Sequence, residues 1–119
     1  MAVYVDGFVI PVPKKAIGEY MKISRRAGKV WMEMGALEYR ECVGDDLKAK
    51  WGTPFPKLAR TKPNETVVFS WIVFKSRKHR DTVNAKVMKD PRMAKMMKLP
   101  MPFDVKRMSY GGFACNVDL

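Results

Sequence analysis

The polar side chains that could do chemistry in this sequence stand isolated within apolar, strand-like segments. Asp6 and Ser70 each interrupt such a segment, and Arg107 and Tyr110 lie close together near the C-terminus. A carboxylate inside an apolar strand is costly to bury unless it is hydrogen-bonded or paired. Asp6 is therefore the candidate catalytic residue: a general base that takes a proton from an activated carbon, with Arg107 or Tyr110 stabilising the developing oxyanion.

A structural interpretation of the same residues competes with the catalytic one. The Asp6 carboxylate could pair with Arg107 or accept hydrogen bonds from backbone amides, because structural ion pairs also leave isolated buried charges. Trp71 could line a pocket for a planar ligand, although an aromatic residue at strand spacing more commonly packs in a core. The residues predicted to line a ligand pocket are Asp6, Ser70, Trp71, Arg107 and Tyr110.

The sequence contains no pattern typical of a metal or cofactor site. Cys42 and Cys115 stand far apart without a CxxC motif, and His79 is the single histidine. Neither a zinc site nor a disulfide framework is predicted from this arrangement. P-loop, GxGxxG and nucleophile-elbow motifs are also absent. We expect no cofactor and no metal, and whether the protein is an enzyme stays open.

Net charge is the unusual feature of the composition. The 23 Lys and Arg residues outnumber the 12 Asp and Glu residues, which gives a formal charge of +11. Such a charge is typical either of a partner of RNA or another polyanion, or of a well-solvated protein surface. The basic residues are spread along the chain, which favours the solvated surface and leaves nucleic-acid binding as the alternative.

The elements that must position these residues follow the order β-α-β-β-α-β. Periodicity and breaking residues predict strands over 3–12, 37–43, 66–74 and 105–114, a helix over 14–34 and a helix from Ser76 to about Asp90. This order predicts one α+β, ferredoxin-like domain over 1–119, with two helices on one face of a four-stranded antiparallel sheet. A basic, Pro-rich excursion interrupts it at about 45–65.

The cellular location is predicted from two features that the sequence lacks. No run of apolar residues is long enough for a membrane span, and the N-terminus lacks the pattern of a secretory signal. We therefore expect a cytoplasmic protein without membrane contact.

The segment 66–74 is apolar on both of its faces, with Ser70 as the polar exception. An antiparallel sheet with one face in water normally alternates apolar and polar residues. Two helices can cover one face, and an exposed apolar sheet face would be a large adhesive patch. A second sheet is the simplest cover, so a homodimer is expected.

Several segments, in order along nearly the whole chain, resemble the YbaA-like bacterial family of unknown function. They are Tyr4-Val5-Asp6-Gly7-Phe8-Val9, Pro11-Val12-Pro13, Val68-Phe69-Ser70-Trp71-Ile72, Asp90-Pro91-Arg92-Met93, Met101-Pro102-Phe103-Asp104, Lys106-Arg107-Met108 and Tyr110-Gly111-Gly112-Phe113. The resemblance implies a dimeric α/β barrel, in which two ferredoxin-like units pack their sheets together. The basic segment 45–65 departs from the family pattern, so a function of that loop is the least transferable from the family to this chain.

No activity follows from the resemblance. The wider superfamily contains cofactor-independent oxygenases, lactone isomerases, haem enzymes and simple ligand binders, so the fold alone fixes no chemistry. The leading hypothesis is an uncharacterised homodimeric protein that binds a small organic molecule in an apolar pocket between sheet and helices. The alternatives are a cofactor-independent oxygenase or isomerase-type enzyme and a basic protein that binds RNA or another polyanion.

Overall fold

The computed structural model describes residues 3–119, which form one four-stranded antiparallel sheet with its longer helices on one side. The strands lie in the order β2-β3-β1-β4. Their bounds are β1 Tyr4–Pro13, β2 Glu38–Val43, β3 Glu65–Phe74 and β4 Ser109–Ala114. The two central strands, β1 and β3, pair over their full length. The predicted ferredoxin-like α+β architecture is confirmed.

The helices of the described residues are α1 Ile17–Glu33, α2 Phe55–Leu58, α3 Arg77–Lys89 and α4 Pro91–Met97. Two of the four helices, α3 and α4, begin at residues whose side chains accept a hydrogen bond from the helix backbone. Gly35, with φ of 117°, follows α1 in the conformation that glycine tolerates best. Ser76 accepts a hydrogen bond from the His79 amide at the start of α3, and Asp90 accepts one from the Arg92 amide at the start of α4. Within the described residues, no helix combines the length and apolarity needed to cross a bilayer.

The last strand is shorter than the sequence predicts. A 3-10 turn occupies Val105–Arg107, and β4 begins only at Ser109. The Asp104 side chain accepts a hydrogen bond from the Lys106 amide, which holds this segment in a turn. The shortened β4 still pairs with β1 from Tyr4 to Val9.

The buried core lies between the sheet and the helices. One cluster surrounds Phe74, Val83 and Val87, and a second surrounds Val12 and Val68. All five of these side chains are at most 1% exposed. Removing their apolar surface from water is the main force that holds α1 and α3 against the sheet.

The opposite face of the sheet is not covered by α1, α3 or α4; only the four-residue α2 touches it, through Phe55, whose ring packs edge-to-face on Phe69 with centroids 5.8 Å apart. We call this side of the sheet the open face, and its side chains come from Val5, Val9, Phe69, Trp71, Val73 and Phe113. They line a concavity of about 960 Å³. Phe69 is 43% exposed and Phe113 is 62% exposed, so large apolar groups remain in contact with solvent. The two-sided apolar pattern of β3 therefore corresponds to one covered face and one open face.

Candidate functional site

A cavity of about 250 Å³ lies between the sheet and α1, and we call it the inner cavity. The segment 101–108 closes its remaining side. Its lining is mostly aromatic and aliphatic: Phe8, Ile10, Tyr20, Ile23, Ala27, Trp31, Tyr39, Trp71, Ile72, Met101, Phe103, Val105 and Met108, with Ser24, Arg40, Glu41 and Ser70 as polar members. Apolar walls with a few convergent polar groups are typical of sites for small molecules.

Glu41 is the carboxylate of the inner cavity, and two tyrosines hold it. The Tyr20 hydroxyl donates to Oε1 at 2.8 Å, and the Tyr39 hydroxyl donates to Oε2 at 2.9 Å. Burial, reinforced by the negative charge of Glu41, raises the pKa of both Tyr20 and Tyr39. Both hydroxyls therefore keep their protons and serve as donors to the Glu41 side chain.

Local geometry explains why these three groups meet. Tyr39 and Glu41 are two residues apart on β2, so the pleat directs both side chains to the same face of the sheet. Tyr20 reaches them from α1, where it is only 5% exposed. Gly28 allows α1 to come this close, because a Cβ atom there would stand 2.6 Å from the Tyr39 ring.

Ser70 lies directly across from Glu41 in the register of β2 and β3. Side chains of residues opposite each other in a sheet share a face, and their Cβ atoms are about 5 Å apart. The Ser70 residue is 5% exposed. Among the described residues, none forms a hydrogen bond with the Ser70 hydroxyl, and the hydroxyl oxygen is not fully buried. The hydroxyl is thus open to the cavity as a donor or an acceptor.

Aromatic rings form the walls around Glu41. The Trp31 and Tyr39 ring centroids are 6.1 Å apart, and those of Tyr20 and Phe103 are 5.5 Å apart in an edge-to-face arrangement. The Trp31 indole nitrogen donates to Oδ1 of Asn84 on α3 at 2.9 Å, which fixes the orientation of the ring. We call this set of four rings the aromatic enclosure.

Ser70 and Trp71 are the two predicted pocket residues that line the inner cavity. Strand alternation nevertheless directs the Trp71 side chain to the open face, opposite Gly7 and Arg40. There its indole nitrogen donates to Glu38 at 2.8 Å. The bond from Trp71 is the main reason that the pKa of Glu38 is lowered.

Asp6 and Arg107 do not line the inner cavity, and they do not pair with each other. Arg80 of α3 donates to the Asp6 carboxylate at 2.7 Å, which corrects the predicted Asp6–Arg107 pair. Arg107 instead forms two hydrogen bonds with Glu65, at 2.7 and 2.9 Å, because the turn before β4 directs it toward the start of β3. The bonded guanidinium lowers the pKa of Glu65.

Tyr110 also lies outside the inner cavity. It is 72% exposed on the edge strand β4, and its ring stacks on Phe8 with centroids 6.0 Å apart. The register with Phe8 places its side chain on the helix-covered side of the sheet, at the edge and outside the cavity lining. The five predicted residues are therefore not brought together in one site.

Sequence reasoning missed Tyr20 and Tyr39 as site residues and did not choose Glu41 for the pocket. One signal was present: Tyr39 and Glu41 share a face of the alternating segment 37–43, which placed an acidic residue on the apolar side. The contribution of Tyr20 gave no such signal, because its helical position resembles that of any core aromatic residue.

Residues 3–105 match the model of a family described as "Protein of unknown function (DUF1428)". The chain belongs to this family. The uncharacterized protein YbaA of Escherichia coli K12 is 43% identical over 115 residues, covering 97% of each chain, and YbaA of Shigella flexneri matches equally. The predicted resemblance to the YbaA-like family is thereby confirmed.

Solved structures with similar folds are far more distant in sequence. An uncharacterized NIPSNAP domain protein from Burkholderia xenovorans has a TM-score of 0.59 at 14% identity, covering 92% of this chain and 91% of that one. A putative antibiotic biosynthesis monooxygenase from Nitrosomonas europaea has a TM-score of 0.60 at 10% identity, covering 97% and 91%. At these identities the similarity shows that this chain shares their ferredoxin-like fold, and it assigns no activity.

Proposed function

We propose that this DUF1428 protein is a homodimer that binds a small organic molecule in the inner cavity. The observation that carries the proposal is the Glu41 carboxylate, held by Tyr20 and Tyr39 on the wall of an otherwise apolar cavity. Polar groups placed in this way fix the orientation of a ligand, while apolar walls supply most of its burial.

The size of the inner cavity limits the ligand. Its volume of about 250 Å³ lies just below the range for drug-sized ligand sites, which runs from roughly 300 to 1,000 Å³. A molecule built on one aromatic ring, or of similar size, fits such a space. One polar group on that molecule can reach Glu41 and Ser70, which face each other across β2 and β3.

The open face supports a second copy of the chain as the partner. The strand lengths and a spacing of about 4.8 Å give a sheet area of roughly 500 Å² per copy, or about 1,000 Å² for two, which is where specific interfaces begin. Val5, Val73 and Phe113 would then leave water. A twofold arrangement places the same patch on both partners, as a self-complementary apolar surface requires.

A second candidate function is an enzyme that uses Glu41 as its general base. The carboxylate lines the cavity, whereas Asp6 is bound by Arg80 and does not reach it. The Ser70 hydroxyl across the strand could donate to an oxyanion that forms on a substrate. In this version Glu41→Gln abolishes turnover and leaves ligand binding measurable, while Asp6→Asn retains turnover.

A third candidate function, binding of RNA or another polyanion, is supported by the segment 45–65. Trp51 in this segment is 89% exposed and is surrounded in sequence by Lys48, Lys50 and Lys57. An exposed aromatic ring among basic residues is typical of surfaces that stack single-stranded bases and contact phosphates. Retention on single-stranded RNA that falls steeply with salt, and falls further in Trp51→Ala, would support this function.

A titration with 2-phenylethanol tests the proposed ligand site. We expect this neutral probe to shift the indole N–H signal of Trp31, which borders the inner cavity, and to leave that of Trp51 unchanged. Ala27→Leu should abolish the shift by filling the cavity, whereas Ala85→Leu on the exposed side of α3 should not. A wild-type protein whose Trp31 signal does not respond to the probe at millimolar concentration would overturn the proposal.

A further inference from the structure

We infer that the inner cavity selects small organic cations that carry an N–H donor, such as an aryl-alkyl ammonium ion. This inference rests on the proposed function, because it names the chemical class of the ligand for the same cavity. Three features of the cavity support it: its uncompensated charge, the hydrogen-bonding capacity of Glu41 and the aromatic enclosure around that carboxylate.

The charged side chain that faces the inner cavity is the acidic Glu41, although the chain carries +11. Among the described residues, no Lys or Arg nitrogen lies within 4.0 Å of the Glu41 carboxylate. Arg40, the other charged residue of the lining, is paired with Glu38 at 2.8 Å, and strand alternation directs both to the open face. A half-buried charge without a counter-ion is costly, so a bound cation relieves that cost.

The hydrogen bonds already made by Glu41 restrict what a ligand can offer. Each oxygen accepts one tyrosine hydroxyl and has room for at least one further donor. A carboxylate only accepts, so a ligand group beside it must donate. An ammonium group donates and is positively charged, whereas an alcohol donates without a charge and a carboxylate is repelled.

The aromatic enclosure favours the same class of ligand. Trp31 and Tyr39 lie beside each other on one side, and Tyr20 and Phe103 on another. Ring faces attract cations through their quadrupole, and the attraction grows when the ion is removed from water. An ammonium head held by Glu41 would lie among these rings.

Two cations near Glu41 do not alter this conclusion. Arg25 and Lys29 line a neighbouring groove on α1 that shares Glu41 and Tyr39 with the inner cavity. Both residues are exposed, and neither pairs with Glu41. Water and salt screen their charges, whereas a ligand inside the cavity meets the carboxylate directly.

The test compares three probes with the same ring and different heads: 2-phenylethylammonium, 2-phenylethanol and 3-phenylpropionate, at pH 7. Binding is measured by calorimetry and by the Trp31 indole shift. We expect the ammonium to bind about ten- to hundredfold more tightly than the alcohol, and the carboxylate more weakly than both. Glu41→Gln should remove most of this preference and retain binding of the alcohol. Glu38→Gln, on the opposite face of β2, should leave the preference unchanged.

The outcomes separate this inference from the function on which it rests. If the alcohol binds in the cavity and the ammonium binds no more tightly, the cation preference is overturned and the ligand site stands. If none of the three probes shifts the Trp31 signal, the ligand site fails together with the preference. Because the comparison of probes uses the wild-type protein, the inference is tested even if Glu41→Gln does not fold.

Discussion

The Arg80 guanidinium on α3 donates to the Asp6 carboxylate on β1 at 2.7 Å, joining residues 74 positions apart. Only 18% of the Arg80 side chain and 9% of the Asp6 side chain is exposed. Arg80 also binds Asp81 and lies over the Tyr4 ring, 5.0 Å from its centroid. The pair ties α3 to a central strand, which gives Asp6 a structural role.

Loss of the cation from this pair should destabilise the fold. We expect Arg80→Met to lower the free energy of unfolding by about 3–5 kcal/mol, because it leaves the Asp6 carboxylate buried without a partner. Adding Asp6→Asn to that variant should restore part of the loss. Urea unfolding measures both changes. Arg77→Met, an exposed position on the same helix, is the control, and an equal effect at both positions would refute the role of the pair.

The tyrosines that hold Glu41 should make stability fall at alkaline pH. Burial raises the pKa of Tyr20 and Tyr39 in the folded state, whereas both ionise near pH 10 once unfolded. The folded state then binds their protons more tightly, so their contribution is complete below about pH 10 and is lost as the pH rises toward the folded pKa.

Chemical unfolding at a series of alkaline pH values tests whether Tyr20 and Tyr39 cause this loss of stability. The double variant Tyr20→Phe/Tyr39→Phe should show a shallower alkaline fall in stability than the wild type. Tyr110→Phe, at an exposed tyrosine outside the inner cavity, should keep the steep fall. Identical slopes for the wild type and the double variant would contradict the geometry around Glu41.

Gly28→Ala should destabilise the protein although the same change usually strengthens a helix. Alanine is favoured over glycine inside a helix by about 1 kcal/mol. At Gly28 the added Cβ would lie 2.6 Å from the Tyr39 ring, which would have to move and give up its bond to Glu41. Gly18→Ala on the same helix has nothing within 4 Å and should stabilise. We expect the two substitutions to shift the melting temperature in opposite directions. Stabilisation by both would show that Tyr39 moves freely.

A charge on the open face should separate the proposed dimer. Phe113→Lys places an ammonium group on the apolar patch and should yield folded monomers at concentrations where we expect the wild type to sediment as a dimer. The side chain is 62% exposed, so the single chain should tolerate the change. Met97→Lys on α4 is comparably exposed, at 68%, and should remain dimeric. A wild-type protein that sediments as a monomer would refute the proposed dimer.

Local patterns were sufficient to predict most of the elements. Alternation and turn residues located the strands, and Gly35 and Ser76 marked the end of one helix and the beginning of the next. These features depend on neighbours within a few residues, so a sequence displays them directly. The late start of β4 was missed because the Asp104 side chain forms a turn where the composition favours a strand.

The amino-acid sequence by itself determined the ferredoxin-like order, the apolar character of both faces of β3 and the basic charge. Only the tertiary structure decided which polar residues meet. Asp6 pairs with Arg80, and Glu41 with Tyr20, across separations of 74 and 21 residues. Such pairs depend on how far a helix is rotated and how closely it approaches the sheet, which at Gly28 is set by one missing Cβ atom. Spacing along a chain does not encode that distance. The site predicted from the sequence therefore centred on Asp6, whereas the site proposed from the structure centres on Glu41.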